Sequence, residues 1–252
     1  MNGMTTFTLR HLGGPTSLIT YGGVRLLTDP TFDEPGEHPI GSRVLVKTTG
    51  PVLGPDEVGP VDAVLLSHDQ HPDNLDRGGR EYLATAPLTL TTPSGAERLG
   101  GTAQALPNWS HVELAGGVRV TGLPALHGPE GSEAKVGEVT GFLLSADGLP
   151  TVYISGDNAS LDRVREIAGR LGPVPIAVLF AGAARTPLID AYLTLESTAA
   201  AEAAEILSAT DVVPLHFEGW GHFTQGPGTL EEAFAGKPAR LHLLKPGAEV
   251  SL

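Results

Sequence analysis

The sequence predicts a mixed α/β domain whose chemistry gathers where its strands end, and three observations carry that prediction. Short apolar runs rich in Val, Ile and Leu alternate with segments of helical periodicity, the pattern of sheets covered by helices. Four of those runs give way within two residues to a typical metal ligand: Val61 to Leu66 leads to His68, Val118 to Leu126 to His127, Thr151 to Ser155 to Asp157, and Asp211 to Leu215 to His216. Functional groups in such sheets collect at the carboxyl ends of strands, so these four ends are expected to converge. No heptads, low-complexity tracts or linker-like breaks interrupt the 252 residues, and a single domain over 1–252 is expected.

In chain order, Phe7 to His11, Ser17 to Tyr21 and Val24 to Thr28 read as strands, the last two joined by Gly22-Gly23, which suits a two-residue hairpin. Residues 33 to 60 are rich in Pro and Gly and read as a long loop, a candidate lid or pocket wall, with Arg43 and Lys47 as solvated cations or anion contacts. Leu75 to Ala84 reads as a helix, Leu88 to Thr92 as a strand, and Ser94 to Leu99 as a helical turn capped by Ser94. Val118 to Leu126 is a strand made irregular by Gly122 and Pro124, and residues 128 to 138 form a polar loop. Thr140 to Ser145 and Thr151 to Ser155 are a strand pair. Leu161, Val164, Ala168 and Leu171 fall at helical spacing behind a Ser160 cap. Ile176 to Phe180 is a buried strand, Ser197 to Ala209 an Ala/Glu-rich helix, Asp211 to Leu215 a strand, Thr229 to Phe234 a helix and Arg240 to Leu244 a strand.

Composition narrows the chemistry. Twenty-nine acidic residues against 16 basic ones give a formal charge of -13, which argues against nucleic acid and anionic membranes as partners. The first eight residues carry neither a basic region nor a long apolar run, and no apolar stretch approaches spanning length, so a cytoplasmic protein is expected. There is no cysteine, which confines any metal site to nitrogen and oxygen ligands. Serine-hydrolase elbows, Walker loops and dinucleotide fingerprints are absent as well.

The densest cluster is Ser67-His68-Asp69-Gln70-His71-Pro72-Asp73-Asn74-Leu75-Asp76, directly after an apolar run. Imidazoles and carboxylates delivered by a buried strand are costly to bury unless paired or bound to a cation, and metal ligation answers that cost. The competing reading is a solvated Asp/His turn. Each His or Asp taken singly is more often a surface or satisfied core residue, but four strand ends carrying the same residue types make coincidence a poor account.

The order Asp29-Pro30, the His-rich loop, His127, Gly156-Asp157 and His216 resembles the metallo-β-lactamase superfamily, nearest to its ascorbate-6-phosphate lactonase-like and phosphodiesterase-like branch. The resemblance spans nearly the whole chain. It implies a four-layer αβ/βα sandwich of two similar halves with a metal site at one edge. It further implies that His68, His127, Asp157 and His216 are ligands and that Asp73, one residue displaced, is the loop carboxylate. Two positions depart from the family's His-x-His-x-Asp-His: Gln70 stands where the second histidine belongs and Asn74 where the last one belongs. An amide is a weak ligand for a borderline metal, and His71 is the substitute at hand.

The expected function is therefore a metal-dependent hydrolase of a small ester, lactone or phosphoester. Asp73 and His68 are the catalytic candidates, His68, His71, Asp73, His127, Asp157 and His216 the metal ligands, and Arg185, Phe32 and Trp109 the substrate contacts. Gln70, Asn74, Glu218 and His222 are supporting groups or weak ligands. The ion is zinc by default, with manganese or iron where oxygen donors dominate. One tightly held ion is expected rather than two, favouring Asp73, Asp157 and His216, with the His68/His127 position empty, weakly occupied or completed by His71; Gln70→His would then restore a second ion. The partner is a small-molecule substrate, and a homo-oligomer is suggested only by analogy with lactonase-like relatives. Two rival readings are a biosynthetic enzyme performing a non-hydrolytic step in the same pocket, motivated by Gln70, and a metal-depleted binding protein.

Overall fold

A β-meander opens the part of the chain described by this computed structural model, residues 7–252. The expectation of no leader over the first eight residues falls largely outside them. Strands β1 (Phe7–Gly13), β2 (Thr16–Tyr21) and β3 (Val24–Thr28) pair antiparallel. Gly22 and Gly23 have φ of 57° and 88°, the two left-handed residues that a tight hairpin turn demands. The segment expected to be loop is not bare: β4 (Gly36–Ile40) and β5 (Arg43–Lys47) form a hairpin, followed by the short α1 (Pro55–Val58). Pro39 is tolerated there because a two-stranded ribbon is all edge.

Next come β6 (Ala63–Leu65), α2 (Arg77–Leu83), β7 (Thr89–Thr91), α3 (Pro93–Leu99) and β8 (Ala103–Ala105). Helix α3 is capped not by Ser94 but by Thr92, whose Oγ1 accepts from the Gly95 amide at 3.0 Å, because Pro93 takes the first helical position. The second half contains β9 (His111–Glu113), β10 (Arg119–Pro124), α4 (Glu133–Val136), β11 (Thr140–Ser145), β12 (Val152–Ile154) and α5 (Leu161–Leu171). It closes with β13 (Ile176–Phe180), α6 (Ser197–Ile206), β14 (Asp211–Leu215), α7 (Pro227–Phe234), β15 (Arg240–Leu241) and β16 (Glu249–Ser251).

The strands form two seven-stranded sheets, ordered β16-β1-β2-β3-β6-β7-β8 and β15-β14-β13-β12-β11-β10-β9. Each runs as three antiparallel pairs followed by three parallel ones, so the halves match strand for strand, with C-terminal β16 filling the place that β9 fills in the other half. Between the sheets lie Ala63, Leu65, Val152, Ile154, Ile176, Val178 and Phe180. The alternate residues of the same strands face outward: Val64 packs under α2, and Tyr153, Ala177 and Leu179 pack under α5 and α6. Burial on both faces is why these parallel strands read as unbroken apolar runs rather than as alternation. The result is the expected four-layer sandwich, and the carboxyl ends of β3, β6, β12 and β14 open on one edge.

Asp76 ties the hairpin to the layer below it. Its Oδ1 accepts from the amides of Phe32 at 2.9 Å and Gly79 at 2.8 Å, and its Oδ2 accepts from the Asp33 amide at 2.8 Å and Lys47 Nζ at 2.9 Å. Lys47, read as a solvated cation or an anion contact, is thus a buried partner of a helix cap; the apolar stem that its β5 position turns inward explains the difference. Helix α2 also approaches the chain after β3 so closely that a Cβ on Gly79 would lie 1.9 Å from the Pro30 carbonyl oxygen. Replacing Asp76 by Ala leaves a buried ammonium and three amide donors without their acceptor, and should cost about 3–5 kcal/mol in urea unfolding. Gly79→Ala should cost about 1–3 kcal/mol through overpacking. An unchanged urea midpoint in either variant would show that the contact does not matter.

Candidate metal centre

Each functional side chain sits on a turn that a strand end makes unavoidable. After β6 the chain runs into a single helical turn, with the amides of Asn74 and Leu75 donating to the His71 carbonyl at 3.2 and 2.9 Å, which throws His68, His71 and Asp73 to one side. Three of the loop's other polar residues point elsewhere. Asp69 takes Arg98 at 2.5 and 3.0 Å, Asp76 caps α2, and Gln70 lies against Gly137, where its Oε1 is buried without a hydrogen-bond partner. Asp157 follows Gly156, whose φ of 54° and lack of Cβ are both required, since a Cβ would meet the Thr140 carbonyl oxygen at 2.6 Å. His216 itself has φ of 57°, a strained conformation for a histidine, held by its amide donating to the Gly14 carbonyl at 3.0 Å and by Phe180 and Phe223 flanking the ring.

The first convergence is nitrogen-rich. His71 Nδ1 lies 2.9 Å from His68 Nε2 and 3.2 Å from His127 Nε2, and Asp157 Oδ2 is 3.7 Å from the latter. His127 Nδ1 donates to the Leu193 carbonyl at 2.8 Å, which leaves its Nε2 lone pair facing inward. His68 Nδ1 meets Ser67 Oγ at 3.0 Å, so its Nε2 is turned to the same point. Three nitrogens and a carboxylate oxygen here lie within 4.8 Å of one another, all buried. A single shared proton cannot satisfy three facing nitrogens, whereas tetrahedral bonds of about 2.0–2.1 Å to zinc would place ligand nitrogens about 3.3 Å apart, close to the spacing found. The residues present fit a divalent ion.

The second convergence is oxygen-rich: Asp73, Asp157 and His216. His216 Nε2 is 3.2 Å from Asp73 Oδ2 and its Nδ1 3.2 Å from Asp157 Oδ1, but neither contact is aligned as a hydrogen bond, and Asp73 Oδ1 and Asp157 Oδ2 are buried acceptors with no donor. Asn74 turns its NH2 group to Asp157 Oδ1 at 3.0 Å and Asp29 Oδ2 at 3.3 Å. Two carboxylates on one side of the amide settle which end is nitrogen. It therefore presents donors, not a lone pair, to the place where the family pattern has a histidine. Asp29 also accepts from the Ser67 amide at 2.6 Å, bracing the loop from below.

Electrostatics follow from burial. It lowers the His68, His71 and His127 imidazoles, the last to about 4, against the opposing pull of nearby carboxylates. Burial would raise Asp73, but His222, which approaches its Oδ2 at 3.0 Å, and His216 hold it well below the usual carboxylate range. Burial pushes Asp29 up to about 7, with Asp157 adding to the shift.

The remaining expectations divide. Arg185 and His222 line the recess over His71, Asp73 and His127, together with Ile40, Arg43 and Leu45 of the β4–β5 hairpin, so the segment from 31 to 60 does border the pocket. Phe32 does not: it packs against Tyr82, ring centroids 5.3 Å apart, in the cluster under α2. Trp109 lies with the α5 layer beneath the Arg170 guanidinium at 4.1 Å. Both aromatics follow the apolar partition rather than the chemistry. Glu218 touches none of the converging groups and faces His11 at 3.6 Å. The Leu193 carbonyl, Ser67 and Asp29 escaped sequence reasoning as supports; a backbone acceptor leaves no trace in residue type.

The metal-free protein has a pH dependence of definite sign. Between about 4 and 6.5 the unfolded chain protonates histidines that the folded chain keeps neutral, so stability should fall as pH drops through that window. Buried His11 is lowered in the same way, while Asp29 and Glu218, both raised by burial, oppose the trend, two groups against four. Thermal midpoints in excess chelator that stay constant or rise from pH 6.5 to 4.5 would refute this balance.

Comparison with known proteins agrees with the geometry. A profile of the Beta-lactamase superfamily domain matches residues 24–217. The chain is 27% identical over 205 residues to a UPF0173 metal-dependent hydrolase of Pyrococcus abyssi, covering 80% of this chain and 86% of that one. It is 29% identical over 255 residues to a UPF0173 metal-dependent hydrolase of Rubrobacter xylanophilus, covering 96% and 95%. Among solved structures, an isothiocyanate hydrolase from Delia radicum gut bacteria superposes with a TM-score of 0.82 at 19% identity, over 97% of this chain and 98% of that one. With four strand ends carrying its ligand types onto one edge of a four-layer sandwich, the chain belongs to the metallo-β-lactamase superfamily.

Proposed function

We propose that this protein is a metal-dependent hydrolase acting on a small ester, lactone or phosphoester. The observation that carries the reading is the buried meeting of His68 Nε2, His71 Nδ1, His127 Nε2 and Asp157, an arrangement that is costly unless a cation is shared among them. The names of the Pyrococcus and Rubrobacter relatives support the same reaction class. A divalent ion bound there supplies Lewis acidity, polarising the scissile oxygen and making a water acidic near neutral pH.

The chain's own residues do the rest. Asp73 keeps Oδ1 free of any donor while His222 holds Oδ2 at 3.0 Å, so it is oriented to accept a proton from an attacking water. His127 is locked in one tautomer by Leu193, and Asp157 is steered by Asn74, so neither ligand must reorganise when substrate enters. The hairpin residues Ile40 and Leu45 close the recess against bulk water.

The tightly held ion belongs to the three-histidine group, and zinc suits three nitrogens and one carboxylate. The Asp73/Asp157/His216 group binds weakly, because Asn74 directs N–H donors at Asp157 where a cation wants a lone pair. His71 thus fills the third nitrogen position beside His68 and His127, and the position that governs a second ion is Asn74 rather than Gln70. Metal analysis after dialysis should give about one zinc per chain, His71→Ala well below one, Asn74→His more than one, and Gln70→His no change; two firmly held equivalents in the unmodified protein would overturn the assignment. Hydrolysis of aryl esters or phosphodiesters should vanish in excess chelator and return with added zinc. Full activity in chelator would sink the hydrolase reading.

A further inference from the structure

We propose that the substrate bears an anionic group, a carboxylate or a phosphate monoester, received by Arg43 and Arg185 at the mouth of the metal recess, with a short apolar portion beneath it. The inference rests on the hydrolase reading and deepens it. Arg43 sits at the start of β5 and lines the recess, as does Arg185 after β13. In a chain of formal charge -13, Arg43 forms no ion pair among the described residues: the one contact of its guanidinium is Nη1 donating to Thr186 Oγ1 at 2.6 Å, a neutral acceptor. Four of its five N–H donors remain uncommitted. Arg185 lies over the Tyr192 ring at 4.9 Å and reaches only Asp190, at 3.4 Å, whose side chain is fully exposed. An exposed pair of that kind contributes little and is readily exchanged for another anion.

Position makes this choice of residues informative. Two guanidiniums beside a site built for a divalent cation repel that cation, an arrangement that costs energy until an anion lies between them. Their planar forks match carboxylate and phosphate oxygens. Arg43 is not a drifting surface residue. Its hairpin is pinned at the base by the Thr48 amide donating to the Gly219 carbonyl at 2.8 Å, the Gly221 amide donating to the Val46 carbonyl at 2.9 Å, and the buried Lys47–Asp76 pair. The remaining wall is apolar, from Ile40, Leu45, Val136 and Leu193, which suits a short hydrocarbon portion and no second charge.

Two measurements on the zinc-loaded full chain decide the matter. In calorimetric titration, hexanoate or butyl phosphate should bind at least tenfold more tightly than hexanol, and the stronger of the two anions identifies the group preferred. Arg43→Gln should abolish that preference at unchanged zinc content, with Arg43→Lys restoring part of it. In turnover, the 4-nitrophenyl half-ester of glutarate should exceed 4-nitrophenyl butyrate tenfold or more in kcat/KM, and Arg43→Gln should collapse the ratio chiefly through KM. Equal binding of alcohol and anions, or a preference that survives in the Arg43→Gln/Arg185→Gln double variant, overturns the anion site. Intact anion preference with neither ester hydrolysed supports the anion site while overturning the hydrolysis of carboxylic esters.

Discussion

The structure turns on the cost of burying four imidazoles and two carboxylates at one edge of two packed sheets. The β4–β5 hairpin and the segments after β10 and β13 cover that edge and bury the groups, so they must satisfy one another or share a cation. Every irregularity nearby serves that meeting. Gly156 gives way to the Thr140 carbonyl, His216 accepts a left-handed backbone, and Gly182 carries no side chain because a Cβ would lie 2.2 Å from the His216 carbonyl oxygen. Left-handed backbone at Gly156 and His216 is thus held at the strand ends that meet there.

A second layer of polar contacts makes the meeting specific. Asp69, Asp73 and Asp76 are interchangeable by composition, yet Asp69 is consumed by Arg98 and Asp76 by the α2 cap and Lys47. Only Asp73 is left with an oxygen free. Asn74 performs the complementary task, holding Asp157 and Asp29 apart with one amide group. The departure from the family's histidine pattern therefore shifts the site toward nitrogen on one side and oxygen on the other, and does not read as decay: an abandoned site has no reason to keep buried donors aimed at its carboxylates.

The hairpin over the recess sets which of its side chains line it. Its residues alternate between the outer surface, where Val44 and Val46 are exposed, and the pocket, where Arg43 and Leu45 face inward. Period-two alternation on a two-stranded ribbon thus delivers one cation and one apolar group to the recess. The tether through Lys47 and Asp76 couples this lid to the same loop that carries the imidazoles.

The sequence by itself determined the layers and the ligand-bearing strand ends. Apolar runs such as Ile176 to Phe180 and Asp211 to Leu215 are long enough to be decided by local pattern, and a histidine or aspartate directly after such a run has nowhere to go but the sheet edge. Short elements were not legible. The hairpin from Gly36 to Lys47 hides behind Pro39 and two glycines, and β8, β9 and β16 are three residues each, held by pairing rather than by propensity. Only the tertiary structure decided that His71 and not Gln70 turns inward, that Asn74 turns its NH2 group to Asp157 and Asp29, that Phe32 is buried in the core and that Trp109 packs against it. The physical reason is common to all four: one residue's rotation about a turn moves a side chain from pocket to layer, and that rotation is set by partners distant in sequence, such as Leu193 for His127, Asp157 for Asn74 and Gly137 for Gln70.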